Sequence, residues 1–283
     1  MEFENQKIRL PAVADAFYPE DPKELKLTIQ NFFQNVKLPK IKGDILGLIV
    51  PHAGYYFSGQ TAAFAFKAIS QKEIETVVLI GDSHYEYFDG VSVWTKGEWL
   101  TPFGRIKVDE KLAQKLISKS SRFFEKDSAH FFEHSLEVQL PFLQTVLKDF
   151  KILPIIIGSQ NEDWLELAKN LLLITENKNI LFLASSDLSH YPSQEDANFY
   201  DKKTIEAILK VDPEILDREL RKLEKLNVEN CQTFLCAEDA VKTVLTIMKE
   251  KKAKGLLLNY SNSGDKSQDK SRVVGYGAII FYK

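Results

Sequence analysis

The sequence predicts an α/β protein: a single domain over residues 1–283, with a central, largely parallel or mixed sheet flanked by helices. Three observations carry this expectation. Short apolar, β-branched runs alternate with longer amphipathic stretches along most of the chain. Two of the runs, 45–50 and 77–80, are continuously apolar, as strands covered on both faces are. No linker rich in Pro, Gly or Ser divides the chain, and no internal repeat is visible.

Taken in order, strand signals fall at 45–50, 77–80, 91–94, 152–157, 180–184, 256–260 and 273–282. Helical periodicity falls between them at 22–33, 60–69, 109–118, 135–147, 164–174, 194–210 and 237–250. The charged run 217–225 reads as the solvated face of a further helix. Residues 261–271 are uniformly polar and read as a loop between the last two strands.

Composition excludes several classes of function. With 44% hydrophobic and 27% charged residues, the 283-residue chain is neither wholly disordered nor fibrous. Its 37 Lys and Arg against 40 Asp and Glu leave a net charge of −3, too weak a field to attract nucleic acid or anionic membrane. No apolar stretch approaches the ~20 residues of a membrane helix, and residues 1–7 lack the apolar core of a secretory signal. Two cysteines exclude a disulfide framework. A cytoplasmic protein with neither nucleic acid nor membrane as partner is expected.

In open α/β sheets, ligands bind beyond the carboxyl ends of the strands, where the loops gather. Three strand candidates end in titratable motifs. Strand 45–50 runs into Pro51-His52-Ala53-Gly54-Tyr55, strand 77–80 into Gly81-Asp82-Ser83-His84, and strand 180–184 into Ser185-Ser186-Asp187-Leu188-Ser189-His190. If these strands are parallel neighbours, His52, His84, Asp187 and His190 converge on one rim. Three such motifs at equivalent strand ends point to a shared site.

The other two histidines lie in Ala129-His130-Phe131-Phe132-Glu133-His134-Ser135-Leu136-Glu137. This segment holds H-x-x-E-H, the order of inverted zinc peptidases, which needs both imidazoles on one helical face. Helical periodicity begins only near Ser135, so a helix entrance fits better. There His134 and Glu137 cap or brace the helix start, or His134 faces the site. Cys236 opens a helical pattern, and a helix N-terminus stabilises the thiolate that binds metals or attacks electrophiles; simple burial is the alternative. Cys231 has no comparable context, and C-x4-C lacks the second pair of a zinc knuckle. Gly54, Gly59, Gly81 and Gly90 form no phosphate-cradling loop, and no serine sits in a nucleophile elbow.

Pro11-Ala-Val-Ala-Asp-Ala-Phe-Tyr-Pro19, Pro51-His-Ala-Gly-Tyr55, Gly81-Asp-Ser-His84, Glu133-His-Ser-Leu-Glu137 with Leu140-Pro141, Ser185-Ser-Asp-Leu-Ser-His190 and Val274-Gly-Tyr-Gly277 follow one another in this order. The ordered set resembles the Memo family, whose prokaryotic members are called AmmeMemoRadiSam system protein B, nearly end to end. That family resembles the class III extradiol dioxygenases (LigB type) in fold, enzymes that hold non-haem iron on two histidines and a carboxylate. The resemblance implies a single metal ion on His52, His84 and Cys236, iron or copper, with zinc as a further candidate. It implies His190 in the acid/base position, Asp187 beside it, and His134 lining the cleft.

The chain departs from the family pattern at Asp82 (usually Pro), Asp15 (usually Gly) and Ala237 (commonly Gly). Asp82 either orients an imidazole, adds negative charge near a cation, or caps a loop. Thiolate in place of carboxylate favours softer metals.

Three functions compete. The first is metal-dependent oxidoreductase or dioxygenase-like chemistry on an unknown small molecule. The second, which the resemblance implies, is non-catalytic binding of a (phospho)peptide or protein partner in the same cleft; Tyr55, Tyr56, Phe57, Tyr85, Tyr87 and Tyr191 either line it or pack under the loops. The third is hydrolysis with Cys236 as nucleophile and His190 or His84 as base. The resemblance also implies a pathway shared with radical-SAM and AMMECR-type proteins.

Overall fold

The computed structural model describes residues 7–158, 163–176 and 178–283. The chain begins β1 (Ile8–Arg9), α1 (Pro22–Gln34), β2 (Ile45–Val50), α2 (Gln60–Ala68), β3 (Thr76–Asp82), β4 (Val91–Val93), β5 (Glu98–Thr101), β6 (Gly104–Lys107), α3 (Glu110–Ile117) and β7 (Phe123–Phe124). It continues α4 (Ser128–Phe131), α5 (Leu140–Val146), β8 (Lys151–Ile157), α6 (Asp163–Ile174), β9 (Ile180–Ser185), α7 (Gln194–Ile208), α8 (Pro213–Glu224), α9 (Glu238–Glu250), β10 (Lys254–Asn262) and β11 (Gly275–Tyr282).

Eight strands form one mixed sheet in the order β10-β11-β2-β9-β3-β8-β4-β7, and β1, β5 and β6 form a small second sheet. The four central strands β2, β9, β3 and β8 are parallel, while β11 and β4 flank them antiparallel. Both faces of the large sheet are covered. Val78, Ile80, Leu153, Ile155 and Phe182 pack with α3, α6, α7, α8 and α9. Their neighbours Val77, Leu79, Ile152, Ile156 and Leu181 pack with α1, α2 and α5 on the other side. Side chains alternate across a strand, so two covered faces require an uninterrupted apolar run.

Local chemistry sets the helix starts. Asp21 accepts from Lys23 N and Glu24 N at 2.9 Å each and is followed by Pro22 at the first helical position. Asp109, Ser193 and Asp212 cap α3, α7 and α8 in the same way. In α8 the stripe Leu216, Leu220 and Leu223 is buried, which turns charged residues of 217–225 outward as the sequence implies. Within the expected helix 135–147, a 3-10 turn at Glu137–Gln139 precedes α5. Strands β1, β5, β6 and β7, each two to four residues long, carry no sequence signal. Among the described residues, no helix is long and apolar enough to cross a membrane; residues 1–6 of the leader reading lie outside them.

Candidate metal centre

Strands β2, β9 and β3 are adjacent, so their carboxyl ends bring three loops to one point of the rim. The first loop presents His52, the second Asp187 and His190, and the third His84. A fourth arm enters ahead of α9, where Cys236 N donates to Asp187 O at 3.1 Å and Ala237 N to Ser186 Oγ at 3.0 Å. The Cys236 Sγ then lies 3.2 Å from His84 Nε2 and 3.5 Å from His52 Nε2. Donor atoms of these three residues fall within 4.8 Å of one another, a group that could hold a metal ion.

The outer nitrogens of both imidazoles are fixed. Glu133 Oε1 lies 2.9 Å from His84 Nδ1, and a carboxylate only accepts, so Nδ1 carries the hydrogen. At His52, Nδ1 lies 3.3 Å from Ser185 Oγ. That hydroxyl already spends its one hydrogen on Ser135 O at 2.7 Å, so it must accept from His52. Both histidines therefore aim Nε2 at the sulfur. Such bonding to the far ring nitrogen is the usual support of a metal-binding imidazole.

The electrostatics match a cation site. Burial opposes a thiolate at Cys236, but His52, His190 and His84 together hold its pKa well below the usual thiol value. The thiolate and Glu133 in turn outweigh burial at His84 and push it up to about 11. At His52 burial again opposes the charge, and Asp187 and Cys236 raise the pKa. A cation in this space would meet the thiolate and the two Nε2 lone pairs. The donor set of two imidazoles and a thiolate fits zinc, copper or iron.

Asp187 is buried at the centre. Its Oδ1 accepts from His52 N at 2.8 Å, and its Oδ2 lies 3.8 Å from Nε2 of both His52 and His190. Burial opposes ionisation of Asp187, but His52 and His190 keep its pKa below the usual carboxylate value. His190 is anchored by backbone pairing with Thr233 and Val274. Asp187 and Cys236 overcome its burial and push it up to about 10. His134 sits across the site, its ring 5.3 Å from that of His52 and 5.0 Å from that of His84. Burial and the His52 charge hold His134 down at about 4, so it is neutral.

The rest of the H-x-x-E-H segment goes elsewhere. Helix α4 ends at Phe131, so His130 and His134 do not share a helical face. His130 is fully buried against Trp94 and Trp99, with Nε2 2.9 Å from Ser92 Oγ, and the peptidase arrangement is absent. Glu137 does not cap a helix. It accepts from Ala12 N, Val13 N and Tyr18 Oη and pairs with buried Arg9, tying the N-terminal strap to the core. Of the aromatic residues, Tyr55 is buried with its hydroxyl on Val138 O, whereas Tyr56, Phe57, Tyr85 and Tyr87 are exposed. Cys231 is half-buried and donates to Thr233 O. A cavity of about 1030 Å³ opens at the opposite end of the sheet, around Ile74, Glu75 and Asn179, and contains no histidine or cysteine.

Sequence reasoning misses Glu133, which stands in a legible motif but faces His84 through tertiary packing rather than spacing. It also misses Ser185 and Gln139; Gln139 Nε2 donates to Ser185 Oγ at 2.8 Å. Asp82 proves to be a cap, accepting from Asp239 N at 3.2 Å and Ala240 N at 3.0 Å. Asp15 has φ +67°, the left-handed backbone that explains a preference for glycine there and that Asp tolerates. Gly81 is required by close approach: a Cβ would lie 2.7 Å from Ser135 Oγ.

A mixed α/β sheet that gathers two histidines and a cysteine at the ends of its parallel strands defines a candidate metal-binding protein. Residues 9–280 match the Memo-like protein family, and the chain belongs to that family. A MEMO1 family protein of Saccharolobus solfataricus is 38% identical, with 96% of this chain and 99% of the relative covered. Relatives from Nitrosopumilus maritimus (39% identical, 97% and 99% covered) and Thermoplasma acidophilum (35%, 96% and 98%) match as fully. Among solved structures, an uncharacterized protein from Escherichia coli K12 shares the fold at a TM-score of 0.53. It is 13% identical, with 84% of this chain and 100% of that chain covered.

Proposed function

We propose that the protein binds one metal ion, iron or copper, through His52, His84 and Cys236 and uses it for oxidoreductase chemistry of a dioxygenase-like kind on a small molecule. The observation that carries this reading is the placement of Glu133 and Ser185 against the far ring nitrogens, which leaves both Nε2 atoms facing the Cys236 sulfur. When bound, such an ion supplies Lewis-acid and redox chemistry, with thiolate favouring softer metals.

The protein's own groups divide the remaining work. His190 is the general acid or base, holding a proton at neutral pH, and Asp187 orients it and offsets its charge. Neutral His134 offers a hydrogen-bonding wall without adding charge. Metal analysis of protein purified anaerobically in metal-replete medium tests the reading. One equivalent in the wild type and little in Cys236→Ala supports it; no stoichiometric metal in the wild type defeats it.

The exposed rings of Tyr56, Phe57, Tyr85 and Tyr87 favour a second reading, in which the cleft binds a peptide or phosphopeptide without turnover. Saturable peptide binding that survives loss of the metal ligands would support it.

A further inference from the structure

Helix α9 lacks a cap of its own. The residue at its N-cap is Ala237, which has no side-chain acceptor, whereas α1, α3, α7 and α8 begin on Asp21, Asp109, Ser193 and Asp212. The first-turn N–H groups of a helix need partners from outside it. Those of Asp239 and Ala240 find theirs on Asp82, at 3.2 and 3.0 Å, across 157 and 158 residues of sequence.

The position of this remote cap matters more than its energy. Asp82 ends β3, and the same chain reaches His84 two residues later. Cys236 lies just ahead of the two amides that Asp82 receives. The bonds therefore join the root of the His84 arm to the root of the Cys236 arm. The ring closes at the other end where His84 Nε2 meets Cys236 Sγ at 3.2 Å. The contacts of Ser186 and Asp187 tie Cys236 to β9 and the His190 arm, not to His84.

We propose that Asp82 is a positioning residue, which sets the spacing of His84 and Cys236 by capping α9 from the end of β3. This rests on the metal reading above and adds a reason for the centre to be preorganised: ligands held at their bound spacing lose less freedom on binding.

Cobalt(II) titration of the intact protein, with the metal alone as probe, tests the proposal. Asp82→Ala is expected to bind one cobalt with its thiolate-to-metal absorption retained, but about 10-fold more weakly and with faster removal by chelator. Asp82→Asn keeps one acceptor oxygen and is expected to lie between the two. A lower melting temperature with cobalt affinity within about 2-fold of wild type would reduce Asp82 to an ordinary helix cap and overturn the proposal.

Hydrogen exchange on metal-free protein separates this from failure of the metal reading, which wild-type protein that takes no cobalt would reveal. Faster exchange in both 83–88 and 236–241 of the Asp82 variant supports the tether, and faster exchange in 236–241 alone refutes it. If the alanine variant does not fold, Asp82→Asn carries both comparisons with smaller expected shifts.

Discussion

Glu133 holds His84 by two routes: Oε1 lies 2.9 Å from the ring Nδ1, and Oε2 accepts the backbone N–H at 2.8 Å. Burial opposes its charge, but His84 and the Ser135 amide hold its pKa down at about 2, so it acts as an acceptor. Glu133→Gln can turn an amide N–H toward Nδ1, which moves the ring hydrogen to Nε2 and removes the lone pair aimed at Cys236. Metal affinity is expected to fall about 10- to 100-fold, at least as far as in Glu133→Ala. Competition with a chromophoric chelator measures this, and unchanged affinity would reject the role.

The sulfur should report its own ligation. Wild-type protein loaded with cobalt(II) is expected to show intense thiolate-to-metal absorption, which Cys236→Ser loses while His52 and His84 remain. An identical spectrum in the serine variant would place the metal elsewhere.

His130 should make the fold acid-sensitive. Burial and the Arg9 charge lower its pKa to about 3, so the folded protein keeps it neutral while the unfolded chain binds a proton below its ordinary value of 6.5. A group with a depressed histidine pKa costs stability as pH falls from 6.5 toward 3. Asp201 and Asp239, raised to about 6 chiefly by burial, act in the opposite direction, so the informative quantity is a difference between variants. Across this window, His130→Gln is expected to be less acid-sensitive than wild type by up to about 1.4 kcal/mol per pH unit. Denaturant unfolding as a function of pH checks it; parallel curves would count against a neutral buried His130.

Gly275 has no room for a side chain, since a Cβ would lie 1.9 Å from Asp201 Oδ2. Asp201 also accepts from Ser189 N at 3.0 Å and Tyr260 Oη at 2.8 Å, and Gly275 itself pairs with Leu188 and Ser189. Gly275→Ala is expected to cost about 1–3 kcal/mol by forcing this cluster apart. An unfolding midpoint equal to that of wild type would show that the cluster can shift freely.

Much of this organisation is legible in the sequence because it follows from periodicity and loop position. Continuous apolar runs mark β2 and β3, and the motifs after β2, β3 and β9 give the histidines a common rim once the strands are neighbours. Glu133 and Ser185 are not legible in that way. Their roles depend on which atom of a distant side chain they face, and spacing along the chain does not encode that. Asp82 can be read from sequence as orienter, charge or cap, and only the approach of α9 decides among them. The short strands β1, β5 and β6 escape for a simpler reason: they are stabilised by pairing with one another rather than by any alternating run of their own.

The order of strands has a consequence for how the protein is made. Strand β9 (from Ile180) lies between β2 (to Val50) and β3 (to Asp82), yet it follows both far along the sequence, and Cys236 comes later still. In that order, β9 is the strand that separates the loops bearing His52 and His84. Pairing of β9 with both neighbours completes the rim. Long-range parallel pairing of this kind is slow relative to local structure, and the site depends on it at both edges of β9. The candidate cation site thus draws its two imidazoles from the amino-terminal half of the chain and its sulfur from the carboxyl-terminal half.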